Sequence, residues 1–199
     1  MTALASRPKA IIFSQGRRGL VTERPDYIPM KIGVMSDTHG RLEITQSAIH
    51  LLRERGAELF LHCGDIDSPA VVRLFTGVPT HFVLGNWDLR PAALQRAIAG
   101  IGGTLHVGHG RVEVGGKRLA WLHGHVRGER QRLESSGEFD FLFYGHSHRA
   151  EVHRSGPTLV MNPGALHRAS TKTVGLVDLA TGEWESIVIA PMKPTTGAL

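Results

Sequence analysis

The sequence predicts an α/β protein in which two β-sheets pack together and helices cover their outer faces. Apolar runs alternate with amphipathic helical segments in the first half of the chain, the pattern of a right-handed parallel sheet. Glycine-containing turns separate short apolar runs in the second half, as β-hairpins require. Hydrophobic residues make up 41% of the 199 residues and charged residues 21%, the balance of a folded globular protein.

Three strand–helix pairs account for the first half of the chain. The first helix spaces Ile44, Ala48 and Leu52 on one face, and the second begins with Ser68 as its cap and Pro69 in its first position. Each strand is a short apolar run that ends in polar residues. The predicted order is strand Lys31–Ser36, helix Leu42–Arg55, strand Glu58–His62, helix Ser68–Phe75, strand Thr80–Leu84 and helix Pro91–Ala99.

The second half is predicted to contain six strands and one helix. Turns are indicated at Gly115-Gly116, Ser155-Gly156 and Thr181-Gly182. The strands are expected at 111–115, 117–122, 140–144, 158–161, 173–179 and 184–189, with the helix near 128–135. No Pro/Gly/Ser-rich linker or internal repeat divides this part of the chain, so one domain is expected over residues 30–192.

Residues 1–29 are expected to be a disordered N-terminal extension, and residues 193–199 a C-terminal tail, because the extension has no sustained apolar period. The extension holds five basic and two acidic side chains, and therefore three of the chain's five net positive charges. The remaining residues are nearly balanced and contain no Lys/Arg run suited to tracking phosphates. Nucleic acid is therefore not expected as a partner.

Several protein classes are excluded by composition. The single cysteine, Cys63, rules out an intrachain disulfide, and it is expected to be a small buried strand residue. No run approaches the roughly 20 apolar residues of a membrane-spanning helix, so no membrane association is expected. Arg17-Arg18 is not followed by the apolar region of an export signal. A cytoplasmic location is expected.

Polar residues follow five of the predicted strands. Because ligands gather at the carboxyl ends of strands in α/β sheets, these residues are expected to line one crevice. Seven side chains that can bind a metal follow these strands, more than a single ion needs. Two metal ions that share the Asp65 carboxylate as a bridging ligand are therefore expected. Imidazoles and carboxylates without thiolates favour Mn, Fe, Zn or Co over Ca. The candidate metal ligands are Asp37, His39, Asp65, Asn86, His123, His146 and His148.

These motifs resemble the calcineurin-like metallophosphoesterase superfamily, whose pattern is Asp-x-His, Gly-Asp, Gly-Asn-His-Asp/Glu, a histidine, and Gly-His-x-His. The match spans residues 37 to 164. The short chain, the His123-Gly124-His125 block and the Asn162-Pro163-Gly164 turn are most similar to the small YfcE-like phosphodiesterase branch of bacteria and archaea. The resemblance implies an α/β fold that is a four-layer α/β/β/α sandwich of two mixed β-sheets flanked by helices.

The resemblance also implies a ligand set for each of two divalent transition-metal ions. Mn is the expected metal, and Fe, Zn, Ni and Co remain open. Asp65 and Asn86 are expected to be both metal ligands and catalytic residues. By position, one ion takes Asp37, His39, Asp65 and His148, and the other takes Asp65, Asn86, His123 and His146.

Trp87 departs from the superfamily pattern, which places a proton-donating histidine there. An indole carries only an N–H without useful acidity, so it cannot act as a general acid. Asp88 and His125 complete the candidate catalytic set, with two roles open for each. Asp88 is either a partner in the reaction or a structural group, and His125 either replaces the missing acid or orients a ligand. His167 and Arg168 are candidates for reaching a substrate phosphate.

The leading hypothesis is a dinuclear-metal phosphodiesterase that hydrolyses a small phosphoester by attack of a metal-bridging hydroxide. The alternative is a non-catalytic scaffold with a vestigial metal site, like the retromer subunit that shares this fold. The complete set of seven ligands favours the enzyme. A repair-type nuclease is disfavoured because the chain lacks a capping region and a basic surface. A homo-oligomer is compatible with the sequence, and the natural substrate stays open.

Overall fold

The structure is a computed structural model that describes residues 30–190. The predicted N-terminal extension (1–29) and C-terminal tail (193–199) lie outside the described residues, and their boundaries stay predictions. No helix among residues 30–190 is long and apolar enough to cross a membrane.

The described residues form four helices and eleven strands, and each element predicted from the sequence is present with its ends shifted by at most two residues. The helices are α1 (Leu42–Glu54), α2 (Pro69–Arg73), α3 (Pro91–Gly100) and α4 (Glu129–Ser135). The strands are β1 (Lys31–Met35), β2 (Ala57–His62), β3 (Thr80–Val83), β4 (Thr104–His106), β5 (His109–Val114), β6 (Lys117–Leu122), β7 (Phe141–Tyr144), β8 (Ala150–Ser155), β9 (Thr158–Pro163), β10 (Thr173–Asp178) and β11 (Trp184–Val188).

The strands build two mixed sheets. The first has six strands in the order β11-β10-β1-β2-β3-β4, in which β1 to β4 are parallel and β10 runs antiparallel to β1. The second has five strands in the order β5-β6-β7-β9-β8, in which β6, β7 and β9 are parallel and both outer strands are antiparallel. The carboxyl ends of the parallel strands in each sheet therefore lie along one edge.

Three apolar clusters separate four layers. Helices α1 to α3 pack on the outer face of the first sheet around residues such as Phe60, the two sheets face each other across residues such as Leu61 and Trp121, and α4 covers the second sheet through Leu133. Neighbouring residues such as Phe60 and Leu61 enter different clusters because successive strand side chains point to opposite faces. The predicted α/β/β/α sandwich of two mixed sheets is confirmed.

Two strands and two pairings were not predicted. Strand β4 has only three residues, and β8 lies at a sheet edge and is exposed along almost its whole length, so neither shows apolar alternation. The second half of the chain was expected to form antiparallel hairpins, yet β6, β7 and β9 pair in parallel. The last hairpin, β10–β11, returns to the first sheet beside β1.

Candidate metal centre

The loops after β1, β2, β3, β6 and β7 meet and bring the predicted donors together. His148 Nε2 lies 3.0 Å from Asp37 Oδ1, although these residues are 111 positions apart in the chain. Asp65 Oδ2 lies 3.3 Å from His123 Nε2 and 3.5 Å from His39 Nε2. The convergence of strand ends that the sequence predicts is therefore present, with Asp37 and Asp65 at its centre.

The donors form two overlapping groups, and within each group the ligand atoms all lie within 4.8 Å of one another. One group contains Asp37, His39 and His148, and the other contains Asp37, Asp65 and His123. Asp37 belongs to both groups, and Asp65 Oδ2 lies near both His39 and His123, which the family resemblance assigns to different ions. This arrangement suits two neighbouring cations that share a carboxylate.

Asn86 and His146 complete the cluster at its exposed side. The amide oxygen of Asn86 lies 3.0 Å from His123 Nε2. The ring of His146 lies 5.0 Å from the ring of His123, and the His146 backbone N–H donates to Asp37 Oδ2 at 3.1 Å. The structure thus brings all seven predicted ligands together, while their roles as ligands stay a prediction.

The backbone at five of these residues is left-handed. This conformation is uncommon outside glycine and costs free energy of order 1 kcal/mol, so the surrounding structure must hold it in place. Hydrogen bonds between loops do so: Asp37 N–H donates to the Gly64 carbonyl and His39 N–H to the Asp65 carbonyl, both at 3.0 Å. The φ values are 54° for Asp37, 43° for His39, 55° for Asp65, 65° for His146 and 56° for His148.

Two glycines allow the loops to approach this closely. A Cβ on Gly85 would collide with the carboxylate and backbone N of Asp65, and a Cβ on Gly145 would collide with the side chain of Ser36. Any side chain at either position would therefore push a strand end away from the cluster. This explains why glycine precedes Asn86 and His146.

Two histidines are oriented through one ring nitrogen. His39 Nδ1 lies 3.0 Å from Asp67 Oδ2, and His123 Nδ1 lies 2.8 Å from the Cys63 carbonyl oxygen. Both partners can only accept, so each Nδ1 is the donor and each Nε2 faces the carboxylates. Metal-binding histidines are held in this way by a partner on the other ring nitrogen.

Buried polar atoms that make no hydrogen bond, although ion-pair partners lie 3.0–3.5 Å away, indicate where cations would bind. Asp37 Oδ1 and His39 Nε2 are buried and make no hydrogen bond among the described residues. Leaving such an atom unsatisfied costs about 1–3 kcal/mol, which a bound cation would remove. The donors are oxygen and imidazole nitrogen, the set that suits divalent transition metals. The residues present therefore fit the implied metal ions.

The opposite charges in the cluster shift one another's pKa values. Burial acts to raise the pKa of Asp65, but the hydrogen bond and charge of His123 overcome it and hold that pKa below its ordinary value. The pKa of His123 is raised by Asp65 and Asp37 in spite of burial. Contact with the Asp37 carboxylate raises the pKa of His148. The Asp65 carboxylate therefore stays ionised and attracts positive charge.

Asp88 lies beneath the cluster and organises two of its loops. Its carboxylate accepts four backbone N–H bonds, with Oδ1 accepting from Ile66 at 2.8 Å and Asp67 at 2.7 Å, and Oδ2 from Asp65 at 3.0 Å and Gly85 at 2.8 Å. The side chain is buried, and burial raises its pKa. These contacts favour the structural role among the two that the sequence left open.

Trp87 and His125 lie at the open side of the cluster. The indole of Trp87 is 48% exposed, and its backbone N–H donates to Asp65 Oδ1 at 2.9 Å. The ring of His125 is exposed and lies 5.3 Å from that of His123. Desolvation and the charge of His123 lower the pKa of His125, so it is mostly neutral near pH 7.

Sequence reasoning missed two residues that shape the site. Asp67 anchors His39, and its only signal is a second carboxylate two positions after Asp65. Asn162 is fully buried, and its amide group donates to the Gly145 carbonyl and to Ser147 Oγ, both at 3.0 Å. The loop that carries His146 and His148 is therefore fixed by Asn162 near the end of β9, which the sequence showed only as part of a motif.

Cys63 was expected to be a small buried strand residue, and it is fully buried but lies one position after β2. Burial raises the pKa of its thiol well above the ordinary value. His62 is also fully buried, with Nδ1 accepting from the Gly64 N–H at 3.2 Å and Nε2 lying 3.1 Å from Thr38 Oγ1. It is a hydrogen-bonded core residue and not a ligand.

Fold and site together define a two-sheet α/β protein with a buried carboxylate–imidazole centre at the strand ends. The model of the calcineurin-like phosphoesterase superfamily domain matches residues 30–182. The chain belongs to this superfamily, and the resemblance noted from its motifs is confirmed.

Curated relatives carry phosphoesterase names. A phosphodiesterase of Methanocaldococcus jannaschii is 29% identical over 165 residues, covering 80% of this chain and 99% of that protein. A probable metallophosphoesterase of Methanothermobacter thermautotrophicus is 31% identical, covering 68% of this chain and 77% of its own. Phosphodiesterase YfcE of Escherichia coli is 26% identical, covering 69% and 79%.

Solved structures share the fold. An archaeal phosphodiesterase has a TM-score of 0.75 at 29% identity, covering 80% of this chain and 99% of its own. The vacuolar protein sorting 29 protein of Cryptosporidium parvum has a TM-score of 0.58 at 17% identity, covering 84% and 100%. At that identity the second likeness shows the fold alone.

Proposed function

We propose that this protein is a phosphodiesterase with a dinuclear metal centre, acting on a small phosphoester substrate. The observation that carries the proposal is the buried cluster around Asp37 and Asp65, in which carboxylates and oriented imidazoles from distant parts of the chain face one another. Two of its buried polar atoms make no hydrogen bond among the described residues. The phosphodiesterase names of two relatives support the same activity.

The residues divide between the two ions as the family pattern implies. Asp65 would be the shared ligand, because its Oδ2 lies near both His39 and His123. Divalent ions held here, with Mn preferred, supply Lewis acidity that activates water and offsets charge on the phosphoryl oxygens. The first ion would be held by Asp37, His39, Asp65 and His148, and the second by Asp65, Asn86, His123 and His146.

The chain's own residues then fix where the substrate binds and which esters react. Asp88 and Asp67 hold the loops and His39 in position, so the cluster is ordered before substrate arrives. Trp87 cannot protonate a leaving oxygen, and the lowered pKa of His125 leaves little of its acid form near pH 7. Diesters with good leaving groups are therefore expected to react fastest.

A metal-content and activity measurement tests the proposal. The purified protein should bind two transition-metal ions per chain and hydrolyse bis(p-nitrophenyl) phosphate. Asp65→Asn should lose both ions, and activity should fall by more than the roughly 10–100-fold that follows loss of an outer partner. Asp178→Asn, at the end of β10, is the matched control and should keep both properties.

Two outcomes would contradict the proposal. Retention of two tight ions by Asp65→Asn would show that this carboxylate does not bridge. Failure of the fully metal-loaded protein to hydrolyse any of a panel of mono- and diesters would favour the alternative, a scaffold that keeps a vestigial site.

A further inference from the structure

An open groove of about 700 Å³ runs beside the candidate metal centre. It lies between the start of α1 and the segment after β9, and its lining includes Arg41, Glu43, His167, Arg168 and Lys172. None of these residues belongs to the ligand set proposed above. The groove is therefore a separate feature that the hydrolytic centre does not explain.

The groove carries net positive charge. Among residues 30–190, Arg41, Arg168 and Lys172 have no carboxylate within ion-pair distance, although Glu43 lines the same groove. By contrast, Arg130 pairs with Glu134 at 3.3 Å. Arginine and lysine side chains free of carboxylate partners in a concave surface are suited to binding phosphate.

The groove is continuous with the metal centre through His167. The rings of His167 and His39 are 5.2 Å apart, and Arg41 Nε donates to His167 Nδ1 at 3.1 Å. Arg168 connects the two features a second time, because its guanidinium lies over Trp87, 5.7 Å from the ring centroid. A substrate bound at the centre would thus extend directly into the groove.

We propose that this groove binds a second anionic group of the substrate, so that the preferred substrates are phosphodiesters that carry a further phosphate beyond the scissile one. The inference rests on the proposed function and adds its substrate class. A simple diester carries a single negative charge, and the metal centre is sufficient to hold it. A substrate with additional negative charge would account for the three further cationic side chains beside the metal centre.

Two matched esters test this assignment. Thymidine 5′-(p-nitrophenyl phosphate) and its 3′-phosphorylated form share the scissile bond and the leaving group, and they differ only by the second phosphate. In the metal-loaded protein, kcat/KM should be at least about tenfold higher for the phosphorylated ester, the effect of one charge-assisted contact. The preference should weaken with rising salt.

Variants of the groove should remove the preference. In Arg41→Ala and in Lys172→Ala, the ratio of the two kcat/KM values should fall to within about threefold of unity. Arg96→Ala, which removes an exposed arginine of α3 outside the groove, should leave the ratio as in the wild type. A wild-type ratio near unity, or a ratio that neither groove variant changes, would overturn the proposal.

A binding measurement separates this inference from the proposed function. Calorimetric titration of the metal-loaded protein compares thymidine 3′,5′-bisphosphate with thymidine 5′-phosphate, and it needs no turnover. Tighter binding of the bisphosphate by at least about tenfold, lost in the Arg41→Ala/Lys172→Ala double variant, supports the groove even if neither ester is hydrolysed. Equal dissociation constants in the wild type would overturn it.

Discussion

Replacing Asp88 with asparagine separates a structural role from a catalytic one. The substitution keeps the size of the side chain and exchanges one carboxylate oxygen for an NH₂ group. Each oxygen of Asp88 accepts two backbone N–H bonds, so whichever oxygen is exchanged, two donors lose their acceptor and face another donor. The free energy of unfolding should therefore fall without any cavity being formed.

The magnitude follows from those two lost hydrogen bonds. A hydrogen bond to a charged group contributes about 1.5–3 kcal/mol, and burial of Asp88, which raises its pKa, offsets part of this because the native carboxylate is itself costly to bury. We expect Asp88→Asn to lower the free energy of unfolding by about 3–5 kcal/mol. Urea unfolding of metal-free protein, followed by circular dichroism, measures the change without a contribution from bound metal.

Asp178→Asn is the matched control for this experiment. Only Oδ1 of Asp178 accepts the backbone N–H groups of Ala180 and Thr181, and asparagine retains that oxygen. The control should cost less than about 1 kcal/mol. If Asp88→Asn also cost less than about 1 kcal/mol while hydrolysis fell more than about 100-fold, Asp88 would act on the reaction and the structural argument would be refuted.

Three further predictions concern single side chains. The rate at which the wild type hydrolyses substituted phenyl diesters should fall steeply as the pKa of the leaving group rises. Trp87→His should flatten that dependence, because it supplies a proton donor. A flat dependence in the wild type would show that another acid already acts. Asp67→Gly should retain the fold, because glycine suits the φ of 66° at that position. In a metal titration the variant should bind metal about 10–100-fold more weakly, because His39 loses its hydrogen-bond partner. An unchanged affinity for metal would refute this prediction. Burial and the charge of His106 lower the pKa of His81 to about 4, so the unfolded chain binds the proton first as the pH falls below 6.5. Between pH 7.5 and 5 the wild type should therefore lose about 2 kcal/mol more stability than His81→Gln in urea titrations, and parallel losses would contradict the assignment.

The sequence predicted the elements that have a local pattern. Helix α1 shows a clear apolar face, α2 begins with Ser68 and Pro69, and the hairpin turns carry glycine, so each was predicted to within two residues. Strands β4 and β8 were missed because one is too short and the other too exposed to show alternation. Local periodicity reports burial, and an edge strand that buries little leaves no such pattern.

The chemistry of the site was also present in the sequence, because its donors follow strands and the carboxyl ends of parallel strands share an edge. Seven donors were named on this basis, and the structure brings all seven together. The family resemblance added the division of these donors between two ions, which the sequence motifs alone did not provide.

Tertiary structure alone decided how the supporting residues act. The sequence could not distinguish a reacting Asp88 from a structural one, because the distinction depends on four backbone N–H groups in two loops. It gave no indication that Asp67 orients His39, or that Arg41 and Lys172 share a groove, since those residues are far apart in the chain. Residue types and periodicity determine which groups a chain can offer at its strand ends. Only the packing of the two sheets and their loops determines which of those groups are buried, paired or left facing a ligand.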